Sequence, residues 1–152
     1  MTSDANALVD TSFLVALCDR RDAHHAWAAQ VAQSLRGPWL TCEACICETD
    51  HLLDYLVPPQ SRWIYELLHA GALQSQHLLP EQIAQVHSEI ARYRDRRVDF
   101  ADACLVILSD YHPKLPLATA DHAPYQHPGE RDVFREGNLH GAPVRMHKRC
   151  AT

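Results

Sequence analysis

Four carboxylates are the residues of this sequence best placed to do chemistry. Asp10, Glu48, Asp102 and Asp121 are far apart in the chain, yet each falls at the end of an apolar run or inside the opening turns of a helical one. Asp10 follows Ala7-Leu8-Val9, and Asp121 follows Leu117-Ala118-Thr119-Ala120. Glu48 sits about two turns into a helical segment that opens near Cys42, and Asp102 lies in the first turn of one that opens at Asp99. Oxygen-only donors of this kind suit hard cations, Mg²⁺ or Mn²⁺, rather than zinc. One or two such ions deprotonate a water, aim it at a phosphodiester and stabilise the charge developing on the leaving oxygen. That chemistry requires no catalytic His, Cys or Ser.

Each acid also has a structural reading. Asp is a favoured helix N-cap, which suits Asp10. Glu48, taken alone, reads more simply as a solvated helix residue. Asp99-x-x-Asp102 has the form of a capping box, with Asp99 at the cap and Asp102 at the third helical position. Asp102 can fill both roles, because that position is still exposed at the mouth of the helix. Asp121 reads as a turn residue.

The elements that must position these acids alternate short apolar runs with longer helical periodicities. Residues 7–9 read as a buried strand, with helices over 13–18 and 24–35 before Gly37-Pro38 breaks the pattern. A second strand is expected at 39–41, then helices over 42–56 and 61–70, and Gly71 stops the latter. A third strand falls within 72–79. Helices over 80–94 and 99–111 precede a fourth strand at 115–119. From about 126 the tail is poorly periodic, with one edge strand expected near 143–146. The alternation predicts an α/β domain with a mostly parallel sheet, spanning 1–152 as one unit. In such sheets ligands bind outside the carboxyl ends of the strands. Asp10 and Asp121 arrive at that edge directly, and the four acids are expected to converge there.

The motifs resemble those of PIN-domain nucleases. Leu8-Val9-Asp10-Thr11-Ser12-Phe13-Leu14 is similar to their opening motif, and Thr41 to Glu48 to their second, a strand end followed two turns later by an acid. Val98-Asp99-Phe100-Ala101-Asp102-Ala103 resembles the third, and Leu117-Ala118-Thr119-Ala120-Asp121 the fourth. All four occur in the family's order across residues 7–125. The resemblance implies a three-layer α/β/α domain with a central sheet of four or five strands. It implies a metal-dependent endoribonuclease in which Asp10, Glu48, Asp102 and Asp121 are catalytic metal ligands, with Thr11 and Thr119 as hydroxyl helpers. Asp99 joins them as site support. The closest likeness is to the compact VapC-type toxins of toxin–antitoxin pairs, which implies an RNA substrate, a homodimer and an inhibitory antitoxin. After Asp121 the sequence His122-Ala123-Pro124-Tyr125 departs from the basic residue and aromatic usual in the family. A rival reading keeps the fold as a non-catalytic interaction module.

Composition sets the outer limits. A chain of 152 residues with 47% hydrophobic and 22% charged residues is that of an ordinary globular protein. It lacks any apolar run near the ~20 residues a membrane-spanning helix needs, and its first residues lack the pattern of a signal peptide, so a cytoplasmic protein is expected. The net charge of −5 argues against a passive nucleic-acid-binding module. It argues less against a nuclease, whose bound cations reverse the local field. Arg92, Arg94, Arg96 and Arg97 form the one dense basic cluster, read either as a solvated helix end or as a phosphate-contacting edge. Among six cysteines, Cys42, Cys45 and Cys47 crowd together. With no second Cys-x-x-Cys, buried reduced thiols are expected before structural zinc. His24, His25 and His122 read as ordinary surface histidines, available for RNA contacts or a stray metal ion, and Trp27, Trp39 and Trp63 read as core or dimer-face residues.

Overall fold

The computed structural model describes residues 4–56, 58–78, 80–94 and 98–120, together with the strand at 133–134. Five strands and six helices follow one another in these residues: β1 (Ala7–Val9), α1 (Thr11–Cys18), α2 (His25–Ser34), β2 (Trp39–Cys42), α3 (Glu43–Asp54), α4 (Arg62–His69), β3 (Leu73–Gln76), α5 (Ile83–Arg92), α6 (Phe100–Tyr111), β4 (Leu117–Ala118) and β5 (Val133–Phe134). The sheet order is β3-β2-β1-β4-β5, and every pairing is parallel.

The strands are short apolar runs because both faces of the sheet are covered, as a parallel sheet requires. Side chains alternate between two cores with the period of the pleat. Leu8, Leu40 and Leu117 point into one core, where Val86 of α5 and Ala103 to Leu108 of α6 meet them. Ala7, Val9, Trp39 and Ala118 point into the other, against Phe13, Leu14, Trp27, Val31 and Ile64. Phe13 is fully buried and meets Trp27 and Trp39 edge-on, at centroid distances of 5.9 and 5.5 Å. Helices thus lie on both faces, giving the three-layer α/β/α architecture. The long helix α3 packs against both α1 and α6, so it bridges the two helical layers at one edge of the sheet.

The helix stops follow local chemistry. Gly71 takes a positive φ of 72° directly after α4, a conformation that glycine adopts without a Cβ penalty. The helix expected over 80–94 begins later, at Ile83, and ends at Arg92. The fourth strand contracts to two residues, Leu117–Ala118, because only these pair with both β1 and β5. β5 falls inside the stretch read as irregular. The edge strand expected near 143–146 lies outside the described residues. Trp27 and Trp39 belong to the core, and Trp63 is 38% exposed. Among the described residues, no helix is long and apolar enough to cross a membrane.

Candidate active site

Asp10 leaves the end of β1 in an extended conformation and caps α1, its side chain accepting the Phe13 N–H. The same oxygen, Oδ1, accepts the Ser12 hydroxyl at 2.7 Å and the Phe13 amide at 2.9 Å. Its other oxygen, Oδ2, accepts the Thr119 hydroxyl. Ser12 also accepts the Ala120 N–H at 2.9 Å, so the ends of β1 and β4 are tied together through one carboxylate and one hydroxyl. Asp10 is only 2% exposed and Thr119 is fully buried. A buried carboxylate is costly unless hydrogen-bonded donors compensate it, and three donors do so here.

Glu48 lies on α3, facing α1 across the bridge that this helix makes. Its Oε2 accepts the Thr11 hydroxyl at 2.7 Å. Asp102 enters from α6. The expected capping box is present: Asp99 Oδ1 accepts the Asp102 N–H at 2.9 Å, and Asp102 Oδ2 accepts the Asp99 N–H at 3.4 Å. The cap reading therefore holds for Asp10, Asp99 and Asp102.

These side chains line one pocket of about 300 Å³, walled by Asp10, Thr11, Ser12, Glu48, Asp99 and Asp102, with Asp22 and His24 at its side. It opens beyond the carboxyl ends of β1 and β4. Asp121 lies outside the described residues. Among the described residues, no group of three or more His, Cys, Asp or Glu side chains closes into metal-ligating geometry. The pocket brings Asp10, Glu48 and Asp102 to one place without drawing them into a cage, and each is instead held by its own hydroxyl or amide donors. The donor set still fits a hard divalent cation, since every acid is an oxygen ligand and carboxylate oxygens accept more than one partner.

Other expected contributors are placed differently. Arg92 pairs with Glu89 at 3.8 Å and lies over the Tyr93 ring, and neither it nor Arg94 lines the acidic pocket. Arg96 and Arg97 lie outside the described residues. Sequence reasoning missed Ser12 as a positioning residue, although the Asp-x-Ser spacing at a helix start is the pattern of a local side-chain turn. It also missed Asp22, whose Oδ1 accepts the His24 N–H at 2.7 Å and so shapes the pocket side.

Among the described residues the cysteines are free thiols, most of them buried. Cys18, Cys42, Cys45 and Cys104 are buried, while Cys47 is exposed, unlike the rest of its cluster. Cys42 Sγ lies 3.5 Å from Cys45 Sγ. Burial pushes the Cys18 thiol up to about 12. A shared hydrogen bond with Cys104, aided by burial, pushes Cys42 up to about 12.

A family model for the PIN domain matches residues 7–129. The chain belongs to the PIN-domain family. Among relatives of this PIN domain, ribonuclease VapC26 of Mycobacterium tuberculosis is 25% identical over 115 residues, covering 75% of this chain and 85% of that protein. The crystal structure of Mycobacterium tuberculosis VapC20, a sarcin-ricin loop cleaving toxin, superposes with a TM-score of 0.64 at 21% identity, covering 73% of this chain and 86% of that one. That likeness bears on the fold, and it agrees with the parallel sheet covered by helices on both faces.

Proposed function

We propose that this PIN domain is an endoribonuclease that hydrolyses RNA phosphodiester bonds with Mg²⁺ or Mn²⁺, and that it serves as the toxin of a toxin–antitoxin pair. The observation that carries the reading is the carboxylate of Asp10, buried at the sheet edge and held by three donors, in one pocket with Glu48 and Asp102. Asp10, Glu48, Asp102 and Asp121 would hold the cation. When bound, it supplies a polarised water and neutralises charge on the phosphate. The chain's own work is positioning. Thr119 and Ser12 fix Asp10, Thr11 fixes Glu48 and Asp99 fixes the turn that carries Asp102. The pocket wall that these groups form would set the phosphate against the acids, and RNA would approach from the open side near His24. A ribonuclease among its relatives supports the substrate class. The further partners we propose are an antitoxin and a second copy of the chain.

The test is cleavage of RNA with added Mn²⁺. Asp10→Asn and Asp102→Asn are expected to abolish cutting while the protein stays folded, and full activity of either would end the assignment. One observation favours the rival module: Asp10 and Asp99 have complete structural roles as caps. Thermal denaturation separates the two readings. A cation site raises the melting temperature as Mn²⁺ increases, by an amount set by concentration over Kd. A scaffold shows no such rise.

A further inference from the structure

A second pocket, of about 480 Å³, adjoins the acidic one between α3 and α6, and the two share Glu48 and Asp99 as a common wall. Its floor is apolar, with Ala44, Leu78 and Ala101, and the ring of Phe100 stands at its side. Phe100 is 43% exposed at the first position of α6, so it presents aromatic surface that no core requires. The rim carries Glu43 and His77, whose Oε2 and Nδ1 lie 2.7 Å apart. A carboxylate only accepts, so the Nδ1–H of His77 donates to Glu43 and holds its carboxylate in place.

Three properties point to one occupant. A rim of carboxylates repels phosphate, while an apolar floor beside an aromatic ring suits a flat, uncharged group. The shared wall means that a chain with a phosphate in the acidic pocket carries its next group into this groove. Resting on the ribonuclease reading above, we propose that the groove is a nucleobase subsite, in which the base beside the scissile phosphate stacks on Phe100 and donates to the Glu43 carboxylate. A carboxylate at the edge selects bases that carry amino groups. Guanine fits best, because its N1–H and N2–H₂ are adjacent donors that match a carboxylate. Uracil fits least, having a single N–H flanked by two carbonyl oxygens.

Two measurements test the subsite. In the first, a random-sequence RNA pool is cut with Mn²⁺ and the new ends are sequenced. In the second, the Asp10→Asn protein is titrated with short labelled RNAs that differ only in guanine or uracil, read by fluorescence anisotropy. The parent is expected to prefer guanine at one position flanking the cut. Phe100→Ala should weaken binding of the guanine RNA on the order of 10-fold, within the range of one base–aromatic stack, and flatten the preference. Glu43→Gln, which replaces an acceptor-only group with an amide, should move the preference towards uracil. If both variants keep the parent's base profile, or the parent cuts without any preference, the subsite is overturned and the groove is left to a protein segment. If the parent cuts no RNA, the ribonuclease reading falls first and the subsite with it.

Discussion

At the scale of single residues, Ser12 carries more than its place in the motif reveals. Its hydroxyl donates to Asp10 and accepts from the Ala120 amide, so it couples the capping acid of one strand end to the backbone of another. Ser12→Ala removes both bonds and leaves a part-buried amide without that partner, a loss of about 1–3 kcal/mol. The Asp10 carboxylate also loses one of its three donors. The expected outcome is a protein that folds with reduced stability and needs more Mn²⁺ for half-maximal thermal stabilisation. Ser12→Thr, which keeps the hydroxyl, should restore both. A purely structural role would lower stability in Ser12→Ala without changing the Mn²⁺ dependence, so urea denaturation and the metal titration together decide.

At the scale of elements, α6 shows how a cap and a site share one turn. Asp99 accepts the Asp102 amide and Asp102 accepts the Asp99 amide, so the start of this helix is fixed before any ligand arrives. Asp99→Ala is expected to cost about 1 kcal/mol, measured by chemical denaturation. Asp99→Ser should recover most of it, because serine caps as well. If Asp99 only caps, Asp99→Ser also keeps full RNA cleavage, and a loss of cleavage at restored stability would assign it a direct part in the site. The same turn shows what could be read from the chain. The Asp-x-x-Asp spacing announced the box, and the Leu-Val-Asp-Thr run announced β1 and its cap, because both signals are local. Glu48 was harder, since nothing in its own segment indicates that α3 bridges α1 and α6 or that Thr11 reaches it. The groove beside Phe100 was not legible at all. It forms where α3, α6 and the residues after β3 meet; His77 lies in no motif, and Glu43, although inside the second, is not the acid that motif singles out. β5 went unseen because two residues make too short a run for periodicity to register.

At the scale of the whole molecule, the fold depends on buried thiols staying neutral. Cys42, Cys45 and Cys104 belong to the core on the α5–α6 face, and Cys18 is buried at the end of α1. Cys18 and Cys42 are raised from an ordinary 9.0 to about 12 in the folded chain. Between these values the unfolded chain gives up thiol protons that the folded one retains, so unfolding is favoured as pH rises. Stability from these groups is fully present below pH 9 and is lost through pH 12, at about 1.4 kcal/mol per pH unit for each thiol. Denaturant midpoints at pH 8 and pH 10.5 should therefore separate clearly, the higher pH being the weaker. The Cys42 thiol and burial raise Cys45 as well, while the hydrogen bond from Cys42 lowers Cys104, so Cys18→Ala removes one titration among several and should flatten the fall in part. It also costs some packing at every pH, so the slope with pH carries the test. An unchanged slope in Cys18→Ala would mean that its thiol ionises in the folded chain as it does in the unfolded one.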